Sequence, residues 1–264
     1  MWLAFAFLSA ALLGFYDVFK KQSLKNNAVI PVLFLNTLFC SLIFLPFIVL
    51  SACGSPMVEG SIFHVPMVGW ESHKYIVLKS CIVLSSWLLG YFGIKHLPIT
   101  LVGPINATRP VMVLIGAMLV FGERLNLYQW IGVLLAIFSF FLLSRSGKKE
   151  GIDFKHNRWV FAVVGAAVMG AVSGLYDKYL MRFVEPIVVQ SWFNIYQCVL
   201  MGLIIVVMNI VNPAQRVRKF SWRWSIPMIS LFLGLADFCY YTALAQDGAL
   251  IAVVSMIRRG SVVV

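Results

Sequence analysis

Several charged side chains lie inside long apolar stretches of this sequence, among them Asp17, Arg109, Asp177 and Asp237. A charge in hydrocarbon costs roughly 3 kcal/mol or more, so such a side chain normally faces a cavity or an oppositely charged partner. A carboxylate beside a cavity can take up and release a proton, and a guanidinium can hold a carboxylate or phosphate through paired hydrogen bonds. These residue types therefore indicate a site that binds an anion, carries a proton, or does both.

Each of these residues also has a purely structural explanation. Arg109 could form a salt bridge with Asp17 or Asp237 instead of binding an anion. Asp17 could pair with Lys20 or Lys21, one turn further along the same helix, and Asp177 lies near the polar end of its segment. Asp237 has no basic residue within one helical turn, so proton coupling, binding of a substrate amine and pairing with another helix all stay open.

Neutral polar and aromatic residues in the same segments could complete the site. Amides donate and accept hydrogen bonds, and aromatic rings offer hydroxyl groups and cation–π faces. Helix packing explains any single one of them more simply. As a set, we predict substrate contacts from Asn36, Trp87, Tyr91, Asn106, Arg109, Asn194, Tyr240, Tyr241 and Arg259, and proton coupling from Asp17, Asp177 and Asp237.

The composition predicts that helices crossing a membrane hold these residues. Of the 264 residues, 61% are hydrophobic and 12% are charged, which is too apolar for the surface of a soluble domain. The formal net charge is +11, but the basic residues lie mostly in short loops, which is typical of a topology signal and not of nucleic-acid binding. We therefore predict an all-α, polytopic transmembrane bundle. The five cysteines form no CxxC pair, so neither a metal site nor a disulfide framework is expected.

Nine apolar segments are long enough to predict helices. We expect them at residues 2–19, 29–51, 75–94, 97–121, 127–143, 159–179, 187–210, 226–245 and from 249 onward. The fourth carries Gly103, Pro104 and Pro110, with Arg109 near its middle. Prolines leave backbone carbonyls without helical partners, and a broken helix beside a buried charge is typical of a binding site within a membrane.

The two parts of the chain contain matching patterns in the same order. Residues Gly14–Asp17 read Gly-Phe-Tyr-Asp, and Gly174–Asp177 read Gly-Leu-Tyr-Asp. An arginine follows Tyr91 and Tyr241 by eighteen residues in each case. Such self-similarity predicts a duplication. Since a unit of five helices is odd, the second copy would enter the membrane from the opposite side.

These repeats predict a division of the chain into two halves. We expect a first five-helix repeat at residues 1–144, a polar linker at 145–158 and a second, incomplete repeat at 159–264. The second repeat would contain helices 6–8 and part of helix 9, so the sequence reads as truncated.

Residues 97–143 carry the most specific family pattern. They contain Pro-Ile-Thr-Leu-Val-Gly-Pro-Ile-Asn-Ala-Thr-Arg-Pro, then Phe-Gly-Glu-Arg-Leu, then Gln-Trp-Ile-Gly-Val-Leu-Leu. Together with the two five-helix halves, this resembles the EamA-type branch of the drug/metabolite transporter superfamily over essentially the whole chain. A second Gly-Glu turn and a tenth helix, which the family pattern includes, do not occur in this sequence.

The resemblance implies ten helices around a central cavity, with a Gly-Glu pair capping the fourth helix. It also implies secondary transport of small organic metabolites or drugs by alternating access, without ATP hydrolysis. On this basis we expect a small-molecule solute, the lipid bilayer and protons as partners, no nucleic acid and no cofactor. The expected location is the bacterial inner (plasma) membrane, as a multi-pass protein.

The main alternative is a membrane sensor or scaffold in which the buried polar residues serve packing alone. An enzyme is not expected, because the sequence has no nucleotide-binding, zinc-protease or serine-hydrolase motif. Sidedness stays open. The basic loops follow helices 1, 5 and 7, which by the positive-inside rule places the N-terminus outside, whereas the family resemblance implies a cytoplasmic N-terminus.

Overall fold

The computed structural model describes residues 1–25, 27–97, 102, 105–106, 108–145, 157–211 and 220–259. At residues 91–92, 94–95, 136 and 139–145 it describes the backbone but not the side chains. In the described ranges the chain forms an all-α polytopic bundle without a strand; nine helices have described bounds, and Val102, Ile105 and Asn106 are helical as well. The helices are α1 (Trp2–Leu24), α2 (Val29–Ala52), α3 (Trp70–His96), α4 (Arg109–Phe121), α5 (Leu127–Arg145), α6 (Arg158–Leu180), α7 (Pro186–Val211), α8 (Ser225–Ala245) and α9 (Ile251–Arg259). Among these described helices, five are long and apolar enough to cross a membrane, namely α1, α2, α6, α7 and α8.

The start of α4 differs from the prediction. The expected helix ran from residue 97 to residue 121, but Leu97 is the C-cap of α3 and α4 begins at Arg109. Pro110 explains this start, because proline lacks the N–H that a helix interior needs and fits only within the first turn. Arg109 is therefore the first residue of a helix and not the middle of one.

The start of α3 also differs, because this helix begins at Trp70 and not near residue 75. Glu71 lies in the first turn, where a negative charge interacts favourably with the helix dipole. Its carboxylate accepts a hydrogen bond from Lys74 at 2.6 Å. These polar residues continue the helix beyond the apolar run that predicted it.

The most extensive helix pairings join elements that are distant in the sequence. α1 packs on α8, α3 on α6 and α7, α2 on α7 and α8, and α4 and α9 pack on each other. α4 also packs on α6, and α9 on α1. If helices 1–4 are exchanged with helices 6–9, each of these pairings maps onto itself or onto another. This symmetry is what a duplicated unit would produce, while the inverted orientation and the residue bounds of the two halves stay predictions.

Hydroxyl groups connect the paired helices. Ser9 in α1 donates a hydrogen bond to the Ala236 carbonyl in α8 at 2.7 Å, and Ser86 in α3 donates to the Ala166 carbonyl in α6 at 2.8 Å. Lipid gives helices little hydrophobic reason to associate, so small residues and interhelical hydrogen bonds take a larger part in holding them together. The α1–α8 and α3–α6 pairs thereby form two sides of the bundle.

Candidate functional site

A cavity of about 280 Å³ lies between the paired helices. The α4–α9 pair forms one wall, the α2–α7 pair forms another, and α1, α3, α6 and α8 contribute the remaining sides. The described lining contains five cationic and three anionic side chains, an excess of two positive charges. They are Lys20, Lys79, Arg109, Arg258 and Arg259, with Asp17, Asp177 and Asp237.

Arg109 lies on the α4–α9 wall and is held by α6. Its Nη2 donates a hydrogen bond to the Gly170 carbonyl at 2.6 Å. A Cβ atom added at Gly170 would overlap the guanidinium group, so the absence of a side chain there makes room for Arg109. Among the residues that the structure describes, Arg109 forms no ion pair. The predicted alternative, a salt bridge to Asp17 or Asp237, is therefore absent from this conformation.

Two more arginines from the end of α9 join the same wall. Arg258 Nη2 lies 2.5 Å from Asp237 Oδ1, and its guanidinium carbon lies 4.0 Å from the centre of the Tyr240 ring. Arg259 has no ion-pair partner in the described ranges. The charges of Arg109, Arg258 and Arg259 repel one another at these positions. The α4–α9 wall thus combines three guanidinium groups with Asp237 as an acidic partner.

A buried ion pair between Lys79 and Asp177 crosses from α3 to α6. Their side chains are 1% and 7% exposed. The Tyr240 hydroxyl donates to Asp177 Oδ2 at 3.2 Å, and the Lys79 ammonium lies 4.5 Å from the Phe193 ring centre and 5.1 Å from that of Tyr241. Asp177 lies near the end of α6, as predicted, and its side chain is buried against the cavity. Sequence reasoning missed Lys79, although a lysine within the apolar run of α3 was a signal for it.

The α2–α7 wall is polar but uncharged. Asn36 Oδ1 accepts a hydrogen bond from Ser230 at 3.0 Å. The side chain of Asn194 forms no hydrogen bond with any described residue. Gln197 is 1% exposed; its Nε2 donates to the Ser80 carbonyl at 3.3 Å, while Oε1 has no partner in the described chain. Sequence reasoning missed Gln197, which gave no charge signal.

The structure gathers most of the predicted site residues around this one cavity. Asp17 and Trp87 line it, and Asp17 lies within electrostatic range of Lys20 and Arg259. Asn106, which precedes α4, is not among the residues that line it, so its predicted substrate contact is not seen in this conformation. The Tyr91 side chain lies outside the described residues, so its predicted contact stays a prediction.

The turn after α4 joins this helix to α9. Gly122 has φ +63°, and its N–H bonds to the Ala117 carbonyl, which ends α4. The Glu123 carboxylate accepts hydrogen bonds from the N–H groups of Ile251 at 2.9 Å and Ala252 at 3.4 Å. The resemblance implied that the Gly-Glu pair caps the fourth helix, but only Gly122 does so, and Glu123 caps α9. Burial raises the pKa of the Glu123 carboxyl, and the two N–H groups oppose that rise.

Within the described ranges, no group of three or more His, Cys, Asp or Glu side chains is placed to hold a metal ion. The chemistry that this lining supports is the binding of an anion by guanidinium groups and of hydrogen-bonding groups by amides.

Comparison with known proteins gives a family and a fold. The profile of the EamA-like transporter family matches residues 1–145. Among the solved structures that match is a crystal structure of a protein with a TM-score of 0.59 and 16% sequence identity, covering 98% of this chain and 97% of the other. That likeness concerns the fold alone. No match was found among curated proteins.

Proposed function

Since the chain belongs to the EamA-like transporter family, within the drug/metabolite transporter superfamily, and is an integral membrane transporter, we propose that it carries small organic anions through the central cavity. The mechanism proposed is secondary transport by alternating access, in which two inverted halves rock around the cavity. The proposed location is the bacterial inner membrane.

The observation that carries this proposal is a pair of arginines that face the cavity without an ion-pair partner among the described residues, Arg109 and Arg259. A guanidinium withdrawn from water is costly unless an anion compensates it. The two residues also occupy matching positions in the predicted repeats. A carboxylate or phosphate between them would supply the missing negative charge through charge-assisted hydrogen bonds.

The Arg258–Asp237 pair suggests how a proton could be coupled to this anion. Protonation would remove the charge of Asp237 and release Arg258, which lines the same cavity. Proton binding and anion binding would then favour each other, as linkage requires. We therefore propose that proton and anion move in the same direction. Asp177 and Asp17 are the other candidates for the coupling site, each beside a cation.

The test compares the unmutated protein with Arg109→Gln and Arg259→Gln in cells at matched expression. Untargeted mass spectrometry of cells and medium should find a few related organic anions that redistribute only with the unmutated protein. Arg124→Gln is the matched control, because Arg124 is exposed in the turn between α4 and α5. Profiles that coincide for all variants and for empty cells would contradict transport and favour a sensor or scaffold.

Gly170→Ala should reduce affinity for the transported anion by about tenfold, the equivalent of 1.4 kcal/mol. The added methyl group would displace the Arg109 guanidinium from its position on α6. The measurement is the solute concentration that gives half-maximal transport. Gly174→Ala is the control, since this glycine lines the same cavity one turn further along α6 and its Cβ would meet no atom closer than 3.9 Å. Equal effects of both changes would refute the role of Gly170 in placing Arg109.

A further inference from the structure

The cavity has chemically different walls. The three guanidinium groups come from the ends of α4 and α9, which pack on each other. The α2–α7 wall contributes carboxamides, a threonine, a cysteine and a phenylalanine, and no charged residue among the described lining. A substrate that fills the cavity would therefore meet three guanidinium groups on the α4–α9 wall and neutral carboxamides on the α2–α7 wall.

The amide groups on the α2–α7 wall are only partly satisfied by the protein. Gln197 Oε1 is buried with no hydrogen-bond partner in the described chain, and the Asn194 side chain forms no hydrogen bond there either. A carbonyl oxygen of this kind accepts from O–H or N–H groups. If an apolar group covered it, a buried acceptor would stay unsatisfied, which is unfavourable. The part of the substrate that contacts the α2–α7 wall is therefore expected to carry hydrogen-bond donors.

The charges in the cavity argue against an ammonium group as that donor. Asp177 is paired with Lys79, Asp237 is paired with Arg258, and Asp17 lies within electrostatic range of Lys20 and, more weakly, of Arg259. Each carboxylate is thus already beside a cation, and the lining keeps an excess of positive charge. A primary ammonium would add to that excess, whereas hydroxyl groups would not.

We propose that the preferred substrate is a small polyhydroxylated organic acid, with its acid group on the α4–α9 wall and its hydroxyl groups on the α2–α7 wall. This inference rests on the proposed function and specifies its substrate class. The cavity of about 280 Å³ lies at the lower limit of typical small-molecule pockets, which fits a molecule of this size.

The experiment measures binding of gluconate, hexanoate and 6-aminohexanoate to the purified full-length chain in lipid nanodiscs. The three probes share a six-carbon chain with a carboxyl group and differ in hydroxyl and ammonium groups. We expect gluconate to bind at least about tenfold more tightly than hexanoate, because hexanoate leaves the amides unsatisfied. We also expect 6-aminohexanoate to bind less tightly than gluconate.

Gln197→Met should reduce the preference for gluconate over hexanoate to about threefold or less, since methionine keeps the shape and removes the acceptor. Gln190→Met is the matched control. Gln190 is on the same helix, its Nε2 also donates to a backbone carbonyl and its Oε1 also lacks a partner in the described residues, but it does not line the cavity. The preference for gluconate should survive in this variant.

The other outcomes distinguish a failure of the proposed substrate class from a failure of the proposed transport function. Equal binding of gluconate and hexanoate, or tighter binding of 6-aminohexanoate, would overturn the polyhydroxylated class and leave anion transport standing. Failure of gluconate to bind would overturn the class as well. Failure of transport itself would appear in the cell experiment, where no anion would redistribute.

Discussion

Lys79→Met should lower the free energy of unfolding by roughly 3–5 kcal/mol, the usual effect of removing one member of a buried ion pair. The substitution leaves the Asp177 carboxylate enclosed between α3 and α6 without its cation, and the Tyr240 hydroxyl alone does not compensate a full charge. It also removes the ammonium from the faces of Phe193 and Tyr241.

The measurement is a denaturant titration of the purified protein in detergent, followed by circular dichroism. Lys79→Met/Asp177→Asn should regain at least half of the loss, because it removes both charges. Lys74→Met is the control on the same helix. Its partner Glu71 and Lys74 itself are 75% and 52% exposed, so this change should cost less than about 1 kcal/mol. Similar losses for Lys74→Met and Lys79→Met would show that burial of the pair does not matter.

Glu123→Ala should reduce the rate of transport by tenfold or more. A tenfold loss corresponds to a shift of about 1.4 kcal/mol in the equilibrium between the functional position of α9 and other positions. The described part of α9 is Ile251–Arg259, and the first N–H groups of a helix have no partner within the helix. Glu123 supplies hydrogen bonds to its first turn, and a carboxylate at a helix N-terminus also interacts with the helix dipole. Without that cap, Arg258 and Arg259 at the other end of α9 lose their fixed positions.

Transport of the solute identified in cells provides the measurement for this variant. Glu123→Gln should have an intermediate effect, because its amide keeps one acceptor oxygen without the charge. Asp247→Ala is the control, since it removes an exposed carboxylate from the turn before α9. If Asp247→Ala reduced the transport rate as much as Glu123→Ala, the effect would come from negative charge near the turn and not from capping of α9.

The helices could largely be predicted from the sequence because each apolar run ends in loop residues. The bounds of α2, α7 and α8 agree within one or two residues, since nothing beyond those runs extends the helix. The start of α4 could not be predicted by length alone. Pro110 was noted as a helix breaker, but whether it interrupts a helix or begins one depends on the chain before it.

The charged residues that line the cavity could be predicted because a charge within an apolar run is rare. Their partners could not. Lys79 and Asp177 are 98 residues apart in the chain, and no local spacing relates them. A helix that is apolar towards lipid and towards its neighbours also has little periodicity, so the sequence does not indicate which face Gln197 presents to the cavity.

The distance of Lys79 from Asp177 along the chain also matters while the protein is being made. Asp177 is 98 residues further along the chain than Lys79, and the ribosome needs about 5–20 s to reach it at about 5–20 residues per second. Until α6 emerges, α3 holds a lysine that costs roughly 3 kcal/mol in the bilayer interior. The nascent chain therefore passes through a stage in which one of its own helices is poorly suited to the membrane, and the arrival of α6 ends that stage.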